Sequence, residues 1–426
     1  MHRRCAASRS GRAASAQSTA MTHDALVVGG GIGGLATALA LGRAGLDIQV
    51  LEQASAFGEV GAGLQLGPNA VRVLAHWGLT DALNACAAFP EALQVRDARG
   101  GERLGRLSLG PQVRARYGQS YATLHRADLH ALLLQAVRQL PQVRLALDAR
   151  VAGYTESADG VRLIGENEAL FEARALIGAD GLWSRVRSQL LGAQPVRASG
   201  HLAYRGMVRS ADLPAALRAP LVTAWLGPRL HVVHYPVRQG DWFNVVVVVH
   251  GVLGQGHGGA VGADPQSWTH EAHAEDLRRT LGAAHADLLK MIDAVPHWTL
   301  WPLNDRPPMT GPQDHARGRV ALLGDAAHPL RPYLAQGAAM ALEDAWTLGR
   351  LVEQQPAGAE IPWVAVFERF AQVRWARNAR VQSRSQRNGS IFHASGLVRW
   401  GRNTAMSMLG EPLLDLPWLY GGPPHP

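Results

Sequence analysis

One short turn constrains this chain more than any other feature. Ala25–Val28 is an apolar run with the length and composition of a buried strand, and it ends directly in Gly29-x-Gly31-x-x-Gly34. An apolar, Ala-rich helix follows over Leu35–Arg43, closed by Gly45. A second strand, Asp47–Leu51, then delivers Glu52 at its end, 21 residues after Gly31. This is a βαβ unit built to hold a dinucleotide. The first glycine permits the tight turn, the second lets backbone approach a pyrophosphate, and the third lets the helix pack on the strand. The helix N-terminus offers unpaired N–H groups to the phosphates. Glu52 stands where a carboxylate accepts from a ribose hydroxyl, and its charge repels a 2′-phosphate. NAD and FAD both satisfy this pattern.

The rest of the chain alternates between two textures. Helices are expected over Pro68–Trp77 and Leu129–Gln139, and strands over Val143–Leu147 and Val151–Tyr154. Gly160–Ile164 and Ala169–Ala173 alternate in polarity and read as a hairpin. Ala175–Ile177 leads into Gly178-Ala179-Asp180-Gly181. From 195 to 305 strand signals dominate, at Leu202–Val208, Val222–Leu226, His231–Tyr235 and Phe243–His250. A Gly-rich loop, 251–262, and a helix near Glu271–Leu281 follow. Val320–Leu323 returns to a buried strand ahead of Gly324-Asp325 and a helix over Gly337–Glu353. The expected organisation is a disordered tail (1–20), a nucleotide-binding domain in two pieces (21–194 and 306–360), an antiparallel-sheet substrate domain (195–305) and a C-terminal helical region (361–426).

Charge could point elsewhere. The formal net charge is +8, which raises a polyanion partner. Four of those charges are Arg3, Arg4, Arg9 and Arg12 in the acid-free first twenty residues, so the remainder carries +4. That tail lacks the apolar stretch of a signal peptide, and Met21, just before the first strand, is an alternative start. Arg374, Arg377, Arg380, Arg384 and Arg387 fall at helical spacing and read as a solvated helix face. Neither nucleic acid nor membrane is expected as a partner: no apolar run approaches the length of a membrane span. Two cysteines, Cys5 and Cys86, make neither a disulfide framework nor a metal centre, which fits a reducing cytoplasm.

Two later motifs choose between the dinucleotides. Gly178-Ala179-Asp180-Gly181 with Ser184 and Arg187 resembles the DG motif of the class A flavoprotein monooxygenases. Gly324-Asp325-Ala326-Ala327-His328-Pro329 resembles their GD motif, and Tyr333 to Ala345 continues the likeness. Gly63–Ala70 and Leu124–Leu129 add to it. Within that family the chain is similar to the branch of the salicylate and 3-hydroxybenzoate 6-hydroxylases, through Trp225–Pro236 and Leu300–Arg306. The resemblance implies a Rossmann-like FAD-binding domain of the para-hydroxybenzoate hydroxylase type with an antiparallel-sheet substrate domain. It implies FAD, NADH or NADPH as co-substrate without a second Rossmann unit, and O₂, acting on a phenolic aromatic acid through a C4a-hydroperoxyflavin. A homodimer is compatible with it. Salicylate and hydroxynicotinate are alternative substrates, and an FAD dehydrogenase or oxidase is the alternative on the same fold.

The resemblance also assigns residues. Gly29, Gly31, Gly34, Glu52, Arg126, Asp180, Asp325, Pro329, Gly337 and Ala338 are expected around FAD, Asp325 at the ribityl chain and Arg126 at the pyrophosphate. The helix beginning at Gly337 would aim its amides at the ring end that becomes negative on reduction. His231 is the candidate base for the phenol, because imidazole titrates near neutrality. Tyr235 lies four residues on and shares its strand face, whereas His234 points away. The chain departs from the resembled branch at Pro332, where that branch carries glutamine. Arg331 beside it is a candidate partner for a substrate carboxylate.

Overall fold

A computed structural model describes residues 23–58, 62–253, 264 and 270–422. The expected tail and residues 254–262 of the Gly-rich loop lie outside these residues. The first sheet is parallel at its heart. Val320–Leu322, Leu170–Gly178, His23–Val28, Ile48–Leu51 and Val143–Ala146 lie side by side in that order. The residues of these strands are mostly apolar without alternation, as strands covered on both faces require. Helix Ile32–Arg43 packs on one face, together with Gly337–Glu353. The hairpin of Val161–Gly165 with Leu170–Ala173 forms as expected, joined by Val151–Glu156.

Register does the functional work in this sheet. Val28 is level with Leu51 and with Gly178, and Gly178 with Leu322. The three glycine-containing motifs that follow those strands therefore emerge along one edge. They are more than 100 residues apart in sequence, and neighbouring strands sit about 4.8 Å apart. This carboxyl edge is where open α/β sheets bind ligands.

The second sheet runs in the order His270–Ala272, Trp298–Asp305, Arg197–Arg209, Trp242–His250, Leu230–Val237, Leu221–Gly227, Ala92–Asp97, Arg103–Ser108. Two corrections to the expected organisation follow. The last two strands come from within 21–194, so the sheet is not confined to 195–305. The pairing of Leu221–Gly227 with Ala92–Asp97 is parallel, while every other pair in this sheet is antiparallel. The place of residues 92–108 is fixed by this long-range pairing. The run Val245–Val249 is the sheet's centre, with neighbours on both edges and apolar packing on both faces.

The C-terminal region opens with a 30-residue helix, Trp363–Phe392. Its arginines form only in part the solvated stripe that their spacing suggested: Arg380 and Arg387 are exposed, but Arg374 and Arg377 are turned to acidic partners. Arg374 is fully buried and donates to Asp344 at 2.7 Å and to Glu343 at 2.8 Å. Arg377 grips both oxygens of Glu343 at 2.7 Å, and Arg380 lies over the Trp418 ring. Burial pushes the Asp344 carboxyl up, but His328 and Arg374 beside it prevail and hold it well below the ordinary range. These bonds fasten the long helix to Gly337–Glu353. Removing one member of such a buried pair costs about 3–5 kcal/mol. Among the described residues no helix is long and apolar enough to cross a membrane, and Cys86 is unpaired.

Candidate active site

Two connected cavities occupy the edge where the strands end. The larger, about 680 Å³, is a trough lined by Gly29, Gly31, Glu52, Asp180, Gly324 and neighbouring residues. The smaller, about 220 Å³, lies between the two sheets. Arg126, Leu182, Trp183, Asp325, Gly337 and Ala338 line both, so they mark the junction.

The trough is shaped by backbone. A Cβ on Gly34 would sit 1.8 Å from the Gly29 carbonyl oxygen, and one on Gly29, at φ +107°, would sit 2.4 Å from the Ala179 carbonyl oxygen. Only glycine lets the motif turn and the 178–181 loop approach so closely. Glu52 accepts from Gly30 N–H at 2.6 Å and from Ala54 N–H at 2.8 Å, which fixes its carboxylate at the trough's end. Asp180 lines the trough, yet its carboxylate serves its own loop: it accepts from Ser184 Oγ and from the Arg185 and Val186 amides. Burial raises its pKa. The helix Gly337–Glu353 begins at the junction, with Gly337 and Ala338 at the cavity wall.

This geometry suits FAD. A long trough runs from a carboxylate that can take ribose hydroxyls, past a glycine turn that admits a pyrophosphate, to a helix N-terminus beside a second chamber. The chain belongs to the family whose model is described as the FAD binding domain, matched over residues 22–358. It is a flavin-dependent aromatic monooxygenase by class. Among its relatives, the 3-hydroxybenzoate 6-hydroxylase of Klebsiella oxytoca is 36% identical over 400 residues, covering 93% of this chain and 96% of that one. The solved salicylate hydroxylase substrate complex matches with a TM-score of 0.78 at 26% identity, covering 94% and 96%. HpxO of Klebsiella pneumoniae, complexed with FAD and uric acid, matches with a TM-score of 0.77 at 27% identity, covering 92% and 94%.

The smaller cavity is made of side chains. His231, Val233 and Tyr235 all face it from one strand, as the period of two requires, and Pro329 closes it from the loop before Gly337. His234 is buried on the opposite face against Phe243. Tyr235 is buried, which pushes its phenol well above the ordinary range and keeps it a donor. His231 departs from expectation. Burial, reinforced by His201, lowers its pKa to about 3, so it is neutral at pH 7 and retains a proton poorly. Its Nδ1 is 2.8 Å from His393 Nε2, at the end of the long C-terminal helix. Nothing in the local sequence around His393 signals this contact.

Arg331 lines the cavity but is already paired with a carboxylate: its Nε donates to Asp305 at 2.7 Å. The residue that the sequence reading missed is Arg205. It lines the cavity from the strand beyond Val246, with its guanidinium 3.6 Å over the Trp301 ring. Its Nε has no hydrogen-bond partner among the described residues, and burial lowers its pKa to about 9. The available signal was one arginine inside the apolar strand Leu202–Val208, on the parity that faces the flavin side.

Proposed function

We propose that this protein hydroxylates a phenolic aromatic carboxylic acid, with 3-hydroxybenzoate converted at its C6 position as the best-supported case. One observation carries the reading. A half-buried arginine with no carboxylate partner among the described residues, Arg205, shares a 220 Å³ cavity with a neutral histidine, and that cavity opens on the FAD trough. Withdrawing a guanidinium partly from water without an anion beside it is costly, and a ligand anion offsets that cost. Arg205 would take the carboxylate. His231, held as the neutral imidazole, would accept the hydrogen of the phenol. Tyr235 would donate to the carboxylate or to the ring hydroxyl. A phenolate is more electron-rich than a phenol, so a base at this point favours electrophilic hydroxylation.

FAD supplies the oxygen-transfer chemistry when bound, with NADH or NADPH as reductant. Glu52 would hold the ribose of the adenosine, the 29–34 turn and Arg126 the pyrophosphate, and Asp325 the ribityl chain. The amides at Gly337 and Ala338 would face the pyrimidine end of the ring, where the helix dipole favours negative charge. Pro329 and Trp183 would help exclude water from the junction. A cytoplasmic location belongs to this reading and is supported by the free thiol of Cys86.

The test is a substrate screen on the flavin-loaded protein. NADH oxidation is followed with 3-hydroxybenzoate, salicylate, 4-hydroxybenzoate and 6-hydroxynicotinate, and products are identified by mass. A hydroxylated product from 3-hydroxybenzoate is expected. Peroxide without added oxygen in any product would overturn the hydroxylase reading in favour of an oxidase. Product from salicylate or 6-hydroxynicotinate alone would reassign the substrate.

A further inference from the structure

We propose that His231, His393 and His250 form a proton relay that carries the substrate's phenolic proton from the cavity to the surface. The inference rests on the reading that the substrate is a phenol. It explains how a histidine that retains a proton poorly can still deprotonate one: it passes the proton on.

The three imidazoles are linked end to end. His231 Nδ1 lies 2.8 Å from His393 Nε2, and His393 Nδ1 lies 2.9 Å from His250 Nε2. His231 and His393 are buried, while His250 is only half-buried, at the end of the strand Trp242–His250. With His231 Nδ1 engaged, Nε2 remains for the cavity that this residue lines. One tautomer set satisfies every link, with Nδ1–H on each ring pointing outward along the chain.

Transfer then balances without a stored charge. The phenol O–H breaks and His231 Nε2–H forms. His231 Nδ1–H breaks and His393 Nε2–H forms. His393 Nδ1–H breaks and His250 Nε2–H forms, and the Nδ1 proton of His250 goes to water. Each ring ends in its other tautomer, and reprotonation of the product's oxygen along the same path resets all three.

The surroundings favour transit over residence. His393 caps the C-terminal end of the helix Trp363–Phe392, whose negative dipole end eases a passing cation. Arg229 beside His250, Arg331 beside His201, and Arg402 beside His393 oppose a lasting one. His201 packs on both His250 and His393 and bonds the Tyr333 hydroxyl, and the Tyr333 and Phe392 rings cover His231. Backbone fixes the geometry: Arg229 N–H donates to the His393 carbonyl, and His250 N–H to that of Arg229. Arg402 also holds the carbonyls of Ile391 and Phe392.

The experiment uses the FAD-loaded enzyme with 3-hydroxy-4-nitrobenzoate as probe, whose ionisation is visible. After a rapid pH jump, phenol ionisation in the site is timed. In His393→Phe the rate should fall by at least about tenfold, a fraction of the usual general-base effect, while probe affinity changes by less than about threefold. Imidazole added to the buffer should restore part of the rate. His250→Asn, a half-buried change that does not disturb the core, should slow ionisation as well and decides the matter if His393→Phe does not fold. Ionisation at the wild-type rate in either folded variant would overturn the relay, as would failure of the wild type to ionise the bound probe. Ionisation by the wild type without hydroxylation of any phenolic acid would instead sink the functional reading and leave the relay standing.

Discussion

The two cavities are built by opposite means. The trough is a backbone site: glycines allow close approach, and strand ends and a helix N-terminus face the ligand. Its key side chains are held by backbone amides, as Glu52 is by those of Gly30 and Ala54. The smaller cavity is a side-chain site. Arg205, His231 and Tyr235 come from two strands of the second sheet, Trp301 from a third and Pro329 from the first domain. His393 behind it comes from the end of the helix Trp363–Phe392. A backbone site tolerates no added atom but has few groups that titrate. A side-chain site tolerates substitution while its chemistry changes.

The strongest way to break this contrast is Gly34→Ala. The added carbon meets a backbone oxygen at 1.8 Å, so flavin binding is expected to be lost entirely. Flavin absorbance of the purified variant measures it, and a yellow, fully loaded protein would refute the backbone account of the trough. Next in size is Arg205→Met. Flavin content should stay normal, but the Michaelis constant for the aromatic acid should rise by roughly 10- to 150-fold, the value of about 1.5–3 kcal/mol for hydrogen bonds to a charged group. An unchanged constant would show that the carboxylate is held elsewhere.

A third test separates the cavities by pH. His231 and His393 are held neutral, chiefly by burial, at about 3 and about 2. An unfolded histidine takes up its proton below about 6.5. The unfolded state therefore binds more protons below that pH, and stability falls as pH drops from about 6.5 towards 4, by up to about 1.4 kcal/mol per pH unit for each such group. Urea midpoints across this range should show a shallower loss in His393→Phe than in wild type. Parallel curves would mean that His393 carries no share. The glycine turn contributes nothing to this slope.

Legibility followed the same division. Gly29, Gly31, Gly34 and Glu52 could be read because a backbone site leaves a local signature: a turn needs glycine, and a strand end places the next acid. Asp180, Asp325 and Gly337 were expected from the family resemblance. His231 and Tyr235 were readable as a pair through strand parity. Arg205 was visible as a charge in an apolar strand but could not be weighed without knowing that its neighbours offered no carboxylate. Arg331 looked equally good until Asp305 was found beside it. The helical spacing of Arg374 and Arg377 said nothing of Glu343 and Asp344, which turn an apparent surface stripe into a buried brace.

The sequence by itself therefore determined the dinucleotide turn and the alternation of two sheet textures, because each rests on interactions within a few residues, and the flavin class through the resemblance of its later motifs. Tertiary structure alone decided which strands share the second sheet, which arginine is left unpaired, and that His231 meets His393 across 162 positions. Those outcomes depend on the local dielectric and on which charges become neighbours, and both exist only once distant segments have packed together.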